Sequence, residues 1–95
     1  MTVRAKFTFD GYESGLSQKP DTKSDGSRDW NNVTIVEKRT LKFSPVFPNN
    51  DPVHENNRFW DASPSGRLEL GCINPEAWSQ FELGREYYID FTLAD

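Results

Sequence analysis

The sequence predicts a mainly β fold: a small antiparallel, strongly curved sheet or partly open barrel of four to five strands, with one or two short helices, in a single domain over residues 1–95. Three observations carry this. Four segments alternate apolar and polar residues with the period of two that a half-buried strand requires: Val3-Ala5-Phe7-Phe9, Val33-Ile35-Leu41-Phe43, Leu68-Leu70-Cys72 and Tyr87-Ile89-Phe91-Leu93. One stretch, Asn74-Pro75-Glu76, has helix-start chemistry. Pro45, Pro48, Pro52 and Pro64 punctuate the region between the second and third strands, which excludes a central strand there because proline lacks the ladder donor.

The first strand presents Arg4, Lys6, Thr8 and Asp10 outward. Over 11–29 the chain turns to Gly, Ser, Asp, Lys and Pro, with little apolar beyond Tyr12 and Leu16, and reads as a long, polar, mobile tip that does not carry the fold. Such an excursion is tolerated because each doubling of loop length costs only about 0.6 kcal/mol. In the second strand Glu37 and Arg39 interrupt the face shared by Val33, Ile35, Leu41 and Phe43, so a bulge or bend is expected near Val36–Lys38. Asp51 before Pro52 predicts a short helix over Pro52–Trp60 in the crossover, pinned by Phe59 and Trp60. Ser63-Pro64-Ser65-Gly66 fits a type I turn into a strand over Arg67–Ile73. Asn74 then caps a helix expected to run Pro75–Glu82 with Ala77, Trp78 and Phe81 inward, ended by Gly84. A fifth strand would need the second to split, or Val46-Phe47 to join. A short helix between third and fourth strands is the arrangement of small oligonucleotide-binding barrels.

Composition bounds the function. Seven Phe, three Tyr and three Trp make the core aromatic-led, while a net charge of −4 argues against general binding to DNA or an anionic membrane. The single cysteine allows no internal disulfide, and with no signal peptide or apolar run of spanning length a soluble, cytoplasmically made protein is expected. Cys72 and His54 are the only thiol–imidazole pair available. Cys72 alternates in phase with Leu68 and Leu70 and reads as a core residue, so no nucleophile is assigned. His54 among Asp51, Glu55 and Asp61 matches no metal template, and Gly66, Gly71 and Gly84 form no phosphate loop. No enzyme activity, metal or cofactor is expected.

The binding feature is basic. Arg4 and Lys6 project from the outer face of the first strand, and Lys38 and Lys42 share one face of the second, so antiparallel pairing would put all four on a common patch. Trp30 and Tyr12, with Trp60 and Tyr88, are the aromatics least needed by the core. An ordinary solvated face explains the cations. A functional patch would meet an acidic protein surface, a nucleotide phosphate or single-stranded nucleic acid, the last opposed by the net charge.

Arg4-Ala5-Lys6-Phe7, Leu41-Lys42-Phe43-Ser44-Pro45-Val46, the run from Glu55 to Gly66 containing Arg58-Phe59-Trp60-Asp61-Ala62-Ser63-Pro64-Ser65-Gly66, and the run from Gln80 to Thr92 together resemble a family of small, mostly uncharacterised proteins encoded by tailed bacteriophages. The resemblance covers nearly everything but the tip, and brings no catalytic residues. It implies phage origin. The expectation is a non-enzymatic virion component, a cement or decoration subunit bound to the phage capsid protein, present in the host cytoplasm during infection and then in the virion. The alternatives are an intracellular phage protein that binds a host protein or sequesters a nucleotide, acting as a homo-oligomer, and an oligonucleotide-binding barrel.

Overall fold

The computed structural model describes residues 2–51 and 54–95. Its elements run β1 (Thr2–Thr22), β2 (Arg28–Pro45), α1 (Glu55–Ala62), β3 (Leu68–Cys72), α2 (Pro75–Trp78) and β4 (Glu86–Thr92). The four strands form one antiparallel sheet in the order β3-β2-β1-β4. β3 and β4 are both edges, so the sheet stays open. No fifth strand forms among the described residues: β2 runs unbroken to Pro45, and Val46-Phe47 lies outside the ladder.

The largest departure from the sequence reading is the stretch over 11–29. Most of it is strand. β1 continues to Thr22 and β2 begins at Arg28, paired from Tyr12–Leu41 out to Thr22–Arg28, which confines the turn to residues 23–27. There Gly26 N–H reaches the Lys23 carbonyl (2.9 Å), and the Asp25 carboxylate accepts from the Ser27 N–H (2.9 Å) and hydroxyl (2.6 Å). β3 covers β2 only over Arg39–Phe43, and β4 covers β1 only over Thr2–Thr8. Beyond those limits the hairpin projects as a bare two-stranded ribbon, and the molecule measures 55 × 33 × 20 Å.

The bulge expected in β2 lies in β1 instead. Phe9 pairs with Phe43 and Gly11 with Lys42, which leaves Asp10 as the extra residue; a second irregularity separates Pro20 from Asp21. Gly11 has φ +149°, a conformation that only glycine adopts at low cost. Because side chains alternate, one inserted residue reverses which face each later side chain takes. Val3, Ala5, Phe7 and Phe9 point to the core before the bulge, and Tyr12, Ser14, Leu16, Gln18 and Pro20 continue that face after it.

Near Val36–Lys38 β2 needs no bulge, because Arg39 belongs on the core side; the irregularity on β2 lies instead at residues 30–32. Its guanidinium lies 4.2 Å from the Tyr12 ring and 4.6 Å from the Trp78 ring, a cation held between two π faces, and its Nε is 3.3 Å from Glu37. The residue that broke the apolar pattern is the clasp between the ribbon's root and α2.

The core is Ala5, Phe7, Phe9, Leu41, Phe43 and Trp78, flanked by Leu68, Cys72, Phe81, Tyr87 and Ile89. Asn74 caps α2 by accepting the Glu76 N–H through its side chain (3.0 Å), and Pro75 fills the first turn. The helix is shorter than the one expected to Glu82. After Trp78 the chain winds on through i→i+3 bonds from Gln80 and Phe81, which turns the Phe81 ring onto Phe9 (5.8 Å) and Phe43 (5.4 Å). The Tyr87 hydroxyl pins this loop, accepting from Glu82 N–H (2.8 Å) and donating to the Gln80 carbonyl (3.3 Å). Gly84, expected to end the helix, has φ +80° and starts the ladder instead, its N–H reaching the Phe9 carbonyl (2.9 Å).

α1 packs on the opposite face over β1. Its N-cap is His54, whose Nδ1 accepts from Asn56 N–H (3.1 Å); Pro52 and Val53, part of the helix expected over Pro52–Trp60, lie outside the described residues. Ser63 closes the helix through bonds from its N–H to the Phe59 and Trp60 carbonyls. Phe59 is the buried anchor, 5.3 Å from the Tyr88 ring.

Candidate protein-binding surfaces

The register puts Arg4, Lys6, Lys38 and Lys42 on one face of the sheet, the side that carries α1. They form a line, not a cluster. From Lys6 to Gly15, the partner of Lys38, β1 advances about 30 Å at about 3.3 Å per residue. Three of the four are already engaged. Arg4 grips Asp90 with both arms (2.7 and 3.0 Å), Lys42 reaches Glu13 (2.6 Å), and Lys6 sits between Glu55 (3.1 Å) and Glu86 (3.3 Å). Lys38 forms no ion pair among the described residues, and its stem crosses Gly71, where an added Cβ would come within 2.9 Å of Lys38 Cε.

The Lys6 cluster holds α1 down. The Lys6 side chain is only 13 % exposed, Tyr88 donates its hydroxyl to Glu55, and Lys6 Nζ lies 5.6 Å from the Tyr88 ring. Burial pulls the Lys6 ammonium down, but hydrogen bonds and charge from Glu55 and Glu86 outweigh it and leave it raised. The Glu55 carboxyl is lowered, first by the Tyr88 hydroxyl and then by Lys6. A depressed carboxyl stabilises the fold above its unfolded value, and that contribution disappears as pH falls through the depressed folded value. Glu55→Gln is therefore expected to flatten the acid side of the stability–pH curve below the ordinary glutamate range. Thermal melts of both proteins between neutral and acid pH check this; parallel curves would refute it.

The ribbon carries a different surface. The face it continues from the core bears Leu16 and Ile35, 80 % and 58 % exposed, beside Val33. Trp30, 65 % exposed, lies at the irregular end of β2 near the turn, while Tyr12 is stacked under Arg39 at the root. The two aromatics expected to work with the cations thus occupy opposite ends of the ribbon. Leu16 and Ile35, which the sequence reading did not single out, are the most exposed apolar side chains on its two strands apart from Trp30. The available signal was an isolated leucine in a polar run.

A further apolar area lies on the core face of the body. Phe43, Leu68, Leu70, Phe81, Tyr87 and Ile89 line an open groove of about 320 Å³. At the β4 corner Val3, Phe91 and Leu93 surround another opening and are all exposed.

Cys72 sits half-buried at the core's edge, its Sγ 3.5 Å from the Asn74 carbonyl, and His54 is the cap of α1. Among the described residues no group of three or more His, Cys, Asp or Glu side chains is gathered as a metal site requires. No helix among them is long and apolar enough to cross a membrane. The chain matches no family model, no curated protein and no solved structure.

Proposed function

We propose that the protein is a non-enzymatic binding protein of a tailed bacteriophage, a capsid-decorating subunit of the virion that holds its neighbour through the ribbon. The observation that carries this reading is the ribbon itself. A long hairpin leaves the body, unsupported by a third strand, and bears Leu16, Ile35 and Trp30 in water. Isolated two-stranded ribbons are marginal in water and exposed apolar faces mark protein contacts, so a partner surface is what this arm is built to meet. The phage assignment rests on the resemblance of the Arg4, Leu41, Glu55 and Gln80 segments to tailed-phage proteins. The basic line is not the proposed contact, because neighbouring carboxylates already occupy Arg4, Lys6 and Lys42. That occupancy weakens the nucleotide and nucleic-acid readings equally.

The test is quantitative mass spectrometry of gradient-purified particles, for the parent and for Leu16→Lys combined with Ile35→Glu, which places the new lysine opposite Glu37 and so adds no like-charge pair across the ribbon. The parent is expected at a copy number comparable with the major capsid protein. The double variant is expected to be lost from particles while its Tm moves by less than about 4 °C, as surface substitutions do. Absence of the parent from the particle would overturn the virion reading and leave a host protein as the partner.

A further inference from the structure

Proteins usually blunt an exposed strand edge with shortness, proline or charged side chains, lysine above all. Three of the free edges among the described residues are blunted this way. β3 has five residues; the outer edge of the ribbon's β1 strand carries Lys19 and Pro20; that of its β2 strand carries Lys38. β4 is not. It is Glu86-Tyr87-Tyr88-Ile89-Asp90-Phe91-Thr92, seven residues rich in strand formers with no Pro or Lys, and its two charges are already paired across the sheet, Asp90 with Arg4 and Glu86 with Lys6.

We infer that β4 pairs with β4 of a second copy, antiparallel about a two-fold axis through Ile89, to give one continuous eight-stranded sheet. The backbone is phased for this. Phe9 N–H binds the Arg85 carbonyl and the Phe9 carbonyl accepts from Gly84, so Phe9, Phe7, Ala5 and Val3 direct their backbone groups to β4. Consistently, the Lys6 carbonyl faces the other way and accepts from Val46 N–H. On β4 the inward set is therefore Tyr87, Ile89 and Phe91, and Glu86, Tyr88, Asp90 and Thr92 turn their N–H and C=O groups outward. A two-fold through Ile89 sets Tyr88 against Asp90 and Glu86 against Thr92 of the second copy, so the outward groups satisfy one another along the whole strand.

Charge selects the same register. Shifting the axis by one residue, to Tyr88 or to Asp90, opposes Glu86 to Asp90 or Asp90 to its own copy, and like charges directly across a sheet are destabilising. With the axis at Ile89 no two like charges face each other. Phe91 then meets Tyr87 of the second copy on the core face, an aromatic cross-strand pair beside the exposed Val3. α1 lies over β1 rather than beyond β4, which leaves the edge approachable.

Sedimentation or light scattering of the full chain across concentration is expected to give a dimeric mass. Thr92 is exposed and faces Glu86 of the second copy, so Thr92→Lys is expected to tighten the dimer and Thr92→Glu to loosen it, each about three- to tenfold in Kd. In a Cys72→Ser background, Ile89→Cys is expected to cross-link on oxidation, since residues on the two-fold approach within disulfide reach, whereas Phe91→Cys is not. A monomeric mass up to the solubility limit, equal Kd values for the two Thr92 variants, or linkage through Phe91→Cys alone would each overturn the inference.

Discussion

Phe43→Ala is expected to destabilise the protein by about 3–5 kcal/mol, a large share of the about 5–14 kcal/mol that a domain of this size has in total. Phe43 is 2 % exposed and stands where the two central strands meet the α2 loop. Its ring touches those of Phe9 (5.2 Å), Phe81 (5.4 Å) and Tyr87 (6.4 Å), so truncation opens a cavity in the one cluster that joins β1, β2, β4 and the loop after α2. The surrounding rings cannot collapse inward without dragging Tyr87 off the Gln80 and Glu82 backbone that it pins. Urea titration of the purified variant checks this. Phe43→Leu should keep the fold at a smaller cost, and a loss below about 1 kcal/mol for Phe43→Ala would contradict a shared cluster.

Gly11→Val is the second large effect, expected at about 1–3 kcal/mol. Space is not the obstacle, since an added Cβ would meet only Leu83 Cδ2 at an ordinary 3.7 Å. The cost arises in the backbone, where φ +149° is strained for any L side chain and more so for a β-branched one. Gly15→Val supplies the comparison. Gly15 lies four positions on in the same strand, its φ is not positive, and an added Cβ meets nothing within 4 Å. Valine there should be neutral or mildly stabilising through strand propensity and reduced chain entropy. Equal losses at Gly11 and Gly15 in thermal unfolding would refute the account.

The parts of the fold legible in the sequence are those where one face is buried. Phe7 and Phe9, Leu41 and Phe43, Leu68, and Tyr87 and Ile89 alternate because water is on one side only, and Asn74-Pro75 announces its helix by local capping chemistry. The ribbon's β1 half is illegible because both of its faces are largely solvated, so no burial period is written into Glu13-Ser14-Gly15-Leu16-Ser17-Gln18, whereas Val33 and Ile35 mark its β2 half as strand; the pairing is supplied by the backbone and by cross-strand contacts such as Ser14 with Glu37 (2.6 Å). Arg39 misled for a related reason. A cation reads as outward unless the rings that receive it are known, and Tyr12 and Trp78 lie 27 and 39 positions away. The basic residues were assigned to the right face by alternation. That three of them are neutralised could not be read, because their partners are 29, 49 and 86 positions distant in sequence.

The projecting ribbon also governs how the molecule travels through solvent. A compact chain of 95 residues has a radius of gyration of about 12 Å, whereas this one has 17.3 Å, the value of a compact chain of roughly 230 residues. A lone protomer will therefore diffuse slowly and emerge early from a sizing column, drawing a drag that its 11.0 kDa mass would not suggest. In the proposed role on a particle surface the same length would become reach, letting the arm cross from the body's own footprint to a neighbouring subunit without the body having to touch it.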